Sequence, residues 1–178
     1  MEHGIFWYIY RQPLYVIALA IILLVALWTL AGRLLYGRRI WTVLNRVIVI
    51  ISIGTICYLT LRRNERETGE LILIPFYSFV EMKEQPEIGR QMLMNLFMFV
   101  PLGLSAPFAI ADIVKNRSRT ILFSIGFAFV SSLLIECMQY FLKLRLCEVD
   151  DVITNTLGAV IGGIPYMIAS LCRWNRAD

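Results

Sequence analysis

Five uninterrupted apolar runs set the terms for everything this chain can become. They cover residues 14–31, 43–61, 92–111, 120–142 and 152–172. Each is long enough to cross a hydrocarbon core of about 30 Å, which takes roughly 17–25 residues of helix. Lipid offers no water to backbone N–H and C=O groups, so runs of this kind must close their hydrogen bonds internally, as helices. Hydrophobic residues make up 58% of the chain, against about 45–50% in soluble domains, and the mean hydropathy is +0.68. At 178 residues the chain has room for one membrane domain and not for a second. The expected fold is an all-α membrane protein of about five transmembrane helices. Two N-terminal helices and the start of a connection occupy 1–70, the main membrane domain 71–172, and a short basic tail 173–178. The first run does not read as a signal peptide, because it lacks a basic leader and an A-x-A cleavage site.

The formal charge of +4 comes from 17 Lys and Arg against 13 Asp and Glu. The bases are scattered through short connections rather than gathered in a patch, which sets topology and argues against nucleic acid as a partner. One side receives Arg33, Arg38 and Arg39, then Lys115, Arg117 and Arg119, then Arg173 and Arg176. By the positive-inside bias that side is cytoplasmic, so the N-terminus is expected outside and the C-terminus inside. The opposite side receives the connection 62–91 and the hinge 143–151. The former is acidic on balance, although Arg62, Arg63 and Arg66 near a span end pull the other way. Within it, LILIPFYSFVEM is apolar, contains Pro75 and is too short to span. An interfacial or re-entrant segment fits, and so does a short helix lying on the bundle.

Polar residues inside the apolar runs are the candidates for function, since a carboxyl group in a membrane span is costly and is kept where it has a partner or a task. Glu136 lies six residues before Leu142, about 9 Å at 1.5 Å per residue. Asn155 lies four residues after Asp151, about 6 Å from the same side. Asn95 enters from that side as well. Three stretches thus deliver a carboxyl and two carboxamides to similar depth. Helical phase gives them shared faces: Glu136 with Gln139 and Tyr140, Asp151 with Asn155, Gly158 and Gly162, and Asn95 with Phe99 and Gly103. The glycines, with Gly163 beside them, would let helices approach closely, and Pro101 opens the backbone nearby. Arg145, Asp150 and Asp151 in the hinge complete the candidate ligand site, with Arg145 as counter-charge to Glu136, Asp150 or Asp151.

Plainer roles remain open for each. Asn and Gln in spans often serve only as interhelical glue, worth about 0.6 kcal/mol, Glu136 could be a satisfied ion pair with Arg145, and Asp150 and Asp151 could cap the last helix. Carboxylates set together can also exchange protons or hold Mg²⁺, and an arginine can grip a phosphate with two parallel hydrogen bonds. Other chemistries find no support. Cys57, Cys137, Cys147 and Cys172 form no CxxC pair, and the three of them in or at the edge of apolar runs read as small packing residues. His3 is the sole histidine, which leaves no zinc set and no Ser–His or Cys–His nucleophile. No GxxxxGK[ST] loop is present. No cofactor and no metal are expected, and no catalytic residue is assigned.

Three stretches carry a likeness to a known family. LILIPFYSF (71–79) is similar to an "IPF" segment, NLFMFVPLG (95–103) to an N-x-x-x-F-x-P-x-G pattern, and IECMQYFLKLRLCEVDDVITNTLGAVIGG (135–163) to an E-x-x-Q…R…D-D…N-x-x-G run. These resemble the VanZ-like family, named for a membrane protein associated with teicoplanin resistance. The chain departs from the pattern at Leu71, where the family favours Asn. The resemblance implies a bacterial cell-membrane protein with a role in resistance to glycopeptide or lipoglycopeptide antibiotics, and it supplies no mechanism. Three functions then compete. The first is a non-enzymatic envelope protein whose polar pocket binds a membrane lipid or a lipid-linked cell-wall precursor, with homo-oligomerisation left open. The second is a small intramembrane enzyme modifying such a molecule with paired carboxylates. A transporter subunit ranks third, because the polar residues gather in one leaflet.

Overall fold

The computed structural model describes residues 12–62, 71–144 and 146–174. Five long helices account for the five apolar runs: α1 (Leu14–Leu35), α2 (Arg39–Arg62), α4 (Pro86–Val114), α5 (Arg117–Phe141) and α6 (Val149–Trp174). All five are long and apolar enough to cross a membrane, so the expected all-helical membrane architecture is observed. Between α2 and α4 lie a two-residue strand β1 (Leu71–Ile72) and a single-turn helix α3 (Tyr77–Glu81), and before α6 lies strand β2 (Cys147–Glu148). Arg145 falls outside the described residues, as do His3, Arg63, Arg66 and Arg176.

The bundle is built on α4 and α6, half of whose apolar windows are buried, whereas only 11% of that of α1 is. Side-chain size decides this. A Cβ placed on Gly103 would strike the backbone of Ala159, one on Gly158 the backbone of Leu96, and one on Gly162 the backbone of Val100 and Leu104. The two helices therefore touch main chain to main chain, as glycine faces in membranes allow. The stripe through Gly158 and Gly162 meets the one through Phe99 and Gly103, as their spacing predicts. Gly163 does not take part, for nothing lies within 4 Å of where its Cβ would be.

Around this pair, α1 lies mainly against α6, α2 mainly against α4, and α5 against both central helices. One cluster joins Ile56 of α2, Phe99 and Leu102 of α4, Ala128 and Ile135 of α5 and Ala159 of α6. A second sets Ile17 and Ile21 of α1 against Met94, Val100 and Leu104. A third, at the far end, stacks Trp41, Phe108 and Tyr166 edge to face, with ring centroids 5.3 to 5.6 Å apart. At that same end Arg46 of α2 bridges to Asp112 of α4 at 2.8 Å. Helix α4 continues through Pro101 and Pro107 and α6 through Pro165. Ser105 Oγ donates to the Pro101 carbonyl at 2.8 Å.

The short elements tie the other end together. β1 pairs in parallel with β2, Leu71 opposite Cys147 and Ile72 opposite Glu148, which places the α2–α4 connection and the α5–α6 hinge on one side, as alternating spans require. Arg90 donates to the Gln12 carbonyl at 2.7 Å and brings the start of α1 to the same end. The hinge opens with a left-handed residue, Lys143 (φ 51°). Lys143 N–H donates to Tyr140 O at 3.1 Å and Leu144 N–H to Gln139 O at 3.0 Å. That is the pairing of a Schellman stop, here without its usual glycine.

Enlarging a glycine at the central contact should be severe. Gly158→Val is expected to lower stability by about 1–3 kcal/mol, the range for overpacking, read as a fall in melting temperature in detergent. Gly163→Ala should leave it unchanged or raise it slightly.

Candidate functional site

Asp150 lies in the first turn of α6. Its Oδ1 accepts from Phe76 N–H at 2.7 Å and its Oδ2 from Ser78 N–H at 2.8 Å, although it is only 2% exposed. Phe76 precedes α3 in a left-handed conformation (φ 66°) and no side chain of its own caps that helix. The carboxylate of Asp150 therefore caps α3 across the fold, filling the role an N-cap residue plays locally. Sequence reasoning offered Asp150 as a cap for its own helix, and the helix it serves is a different one. Beside it, Ser78 Oγ donates to Glu148 Oε2 at 3.0 Å, and Glu148 N–H donates at a long 3.4 Å to Glu136 Oε2. Loop, hinge and α5 are thus joined through three carboxylates in succession.

One helical turn deeper, Asn155 Nδ2 donates to Ser132 Oγ at 2.8 Å. Asn155 is a turn from Asp151 on α6, and Ser132 a turn from Glu136 on α5, so the two pairs face one another between these helices. Glu136, Asp151 and Asn155 are 3, 4 and 3% exposed. Asn155 Oδ1 is fully buried and has no hydrogen-bond partner among the described residues. A buried amide oxygen in that condition is uncommon and asks for an explanation.

The remaining candidates divide. Gln139 Nε2 donates to the Thr60 carbonyl of α2 at 3.2 Å, which is the glue role weighed for it. Asn95 is buried at 5% exposure on α4, next to the Leu96 backbone that receives Gly158, and joins the group by position rather than by a bond. Phe99 is completely buried in the main core cluster. Arg145 lies outside the described residues, and so does its expected pairing. Ser132, Ser78, Phe76 and Glu148 were not singled out by sequence. For Ser132 a signal existed: Thr120, Ser124, Ala128, Ser132 and Glu136 step by four and are all buried, so they form one small-residue seam ending at the acid. Ser78 and Phe76 act through main chain, or at a distance of 70 residues or more, and leave no local pattern.

Cys147 reports the local charge. Burial pushes its thiol up to about 11, and the carboxylates of Glu136, Asp151 and Glu148, with the neighbouring Cys137 thiol, push in the same direction. All four cysteines are unbridged and half-buried. Among the described residues no three His, Cys, Asp or Glu side chains gather closely enough to hold a metal ion.

With this geometry in place, comparison with known families is decisive. The VanZ/LLP1 family model matches residues 14–170. The chain belongs to the VanZ/LLP1 family. The match extends N-terminal to the three motif stretches and takes in α1 and α2, which carry no distinctive motif of their own. No curated protein and no solved structure matches the chain. Family and helices together make this a multi-pass membrane protein.

Two outcomes follow. Asp150→Ala should release the loop, each hydrogen bond to a charged group being worth about 1.5–3 kcal/mol, and the amides of Phe76 and Ser78 should lose their protection in hydrogen exchange. Alkylation of Cys147 should still be accelerating between pH 9.0 and about 11, because the reactive thiolate forms only as the raised pKa is approached. A rate that levels off near pH 9 would show that the thiol is neither buried nor beside these carboxylates.

Proposed function

We propose that this protein acts in the cell membrane of a bacterium, where it lowers susceptibility to glycopeptide or lipoglycopeptide antibiotics of the teicoplanin type. It does so without catalysis, by holding a membrane lipid or lipid-linked cell-wall precursor at the polar end of the bundle. The observation that carries this reading is the chain of contacts through Asp150, Glu148 and Glu136. Buried carboxylates are expensive in a membrane protein, and here they join three separate segments one turn above an amide oxygen that no described residue satisfies. Membership of the VanZ/LLP1 family supports the link to glycopeptide resistance. The acidic end is placed outside and the C-terminus in the cytoplasm, in keeping with the basic α1–α2 and α4–α5 connections at the opposite end.

Glu136→Gln, Arg145→Ala and Asn155→Ala, each expressed at the level of the unaltered protein, should return drug susceptibility toward that of cells lacking the protein. Unchanged susceptibility in all three would end this reading. A modified lipid appearing in membranes only when the protein is present would instead favour the intramembrane enzyme. A reporter fused after residue 178 should be active only in its cytoplasmic form, and labelling of a cysteine substituted at Lys83 by an impermeant reagent on intact cells checks the other side.

A further inference from the structure

Directly above the main apolar cluster lies a layer of two amides and a hydroxyl. Phe99 of α4, Ala128 of α5 and Ala159 of α6 meet in that cluster. One turn toward the hinge end, the same three helices carry Asn95, Ser132 and Asn155. Two contacts set them at one level. Asn155 Nδ2 donates to Ser132 Oγ at 2.8 Å, and Leu96, the neighbour of Asn95, meets Gly158, three residues from Asn155. Asn95, Ser132 and Asn155 are 5, 0 and 3% exposed.

The hydrogen-bonding capacity of this layer is only partly used. Asn155 Oδ1 is buried without a donor. Asn95 makes no hydrogen bond with another described residue. Farther along α5, Thr120 and Ser124 each donate to the carbonyl one turn back at 2.8 Å. Ser132 does not, and gives its hydroxyl hydrogen to no described acceptor. Two carboxamide oxygens, the amide hydrogens of Asn95 and one hydroxyl hydrogen are thus left over. Unmet polar groups in an apolar interior are costly.

The mixture identifies the partner. A cation would satisfy the oxygens and leave the hydrogens of Asn95 and Ser132 facing it, and an anion would do the reverse. The three side chains are themselves uncharged and call for neither. Water both donates and accepts, is small enough for groups this enclosed, and typically makes about three hydrogen bonds to such groups when buried. We infer that Asn95, Ser132 and Asn155 hold ordered water between α4, α5 and α6, one turn beneath Glu136 and Asp151. The cluster of Phe99, Leu102, Ala128, Ile135 and Ala159 below offers no polar side chain, and hydration ends there. Water occupies this layer whatever larger ligand the hinge end receives, and so whether or not the protein confers resistance.

The test uses the full-length protein in lipid bilayers with isotope-labelled asparagine, read by solid-state NMR as magnetisation passed from water to the side-chain amides. Two asparagines calibrate it. Asn116 is exposed at the far end and should receive the signal. Asn45 is 0% exposed, donates to the Trp41 carbonyl and accepts from Trp28, and should receive none. Asn95 and Asn155 should receive it at short mixing times, as Asn116 does. Silence at either one, matching Asn45, overturns the inference without requiring any variant to fold. Transfer to them from lipid in place of water also overturns it. Asn95→Leu should abolish the transfer to Asn155, and Asn155→Leu the transfer to Asn95. Transfer that persists in either variant overturns the shared site. Equal transfer to the methyl groups of Ala128 and Ala159, labelled in a separate sample, overturns the dry floor beneath it.

Discussion

The main-chain contact between α4 and α6 is the constraint on which the rest of the structure depends. Gly103, Gly158 and Gly162 remove every side chain that would hold these helices apart. Without a hydrophobic drive between helices in lipid, close van der Waals packing and interhelical hydrogen bonds supply the association. Once α4 and α6 meet in this register, the depths of Asn95 and Asn155 follow from helical rise. The remaining helices then have surfaces to fill: α2 with Ile56, and α5 with its seam of Thr120, Ser124, Ala128 and Ser132.

Much of this could be read from the chain because a membrane reduces the alternatives. Helix is the only outcome for a long apolar run, so the five spans were recoverable to within a few residues, and glycine spacing gave the central contact. Glu136 and Asn155 lie toward the hinge end of α5 and α6, where Asn155 bonds Ser132 and Glu136 accepts from Glu148. The rest was illegible for identifiable reasons. Asp150 acts on main-chain amides more than 70 residues away, and any sequence at those positions would offer the same N–H groups. Ser78 gives no periodic signal. Gly163 looked like a packing residue by adjacency, but a helix turns 100° per residue and so presents it elsewhere.

The polar end shows two ways of using a buried acid. The charge of Asp150 is met by dipoles in a defined geometry, which makes it an architectural group. Glu136, Asp151 and Glu148 lie near enough to Cys147 to raise its thiol pKa together with burial, which makes them a local field. Separating those roles matters for interpreting substitutions, since loss of Asp150 removes the loop whereas loss of Glu136 alters the charge and leaves α3 capped.

The two-residue parallel pairing of Leu71 with Cys147 and Ile72 with Glu148 also orders events in time. Helices enter the bilayer as they are synthesised, but β1 cannot pair until the hinge between the last two spans has been made. The strand pair can therefore form only once the hinge has been made, and the Asp150 cap on α3 only once α6 has begun. A chain interrupted before α6 would hold four inserted helices and no finished site. Synthesis of the last hinge and helix is in this sense a condition for assembly of the polar end.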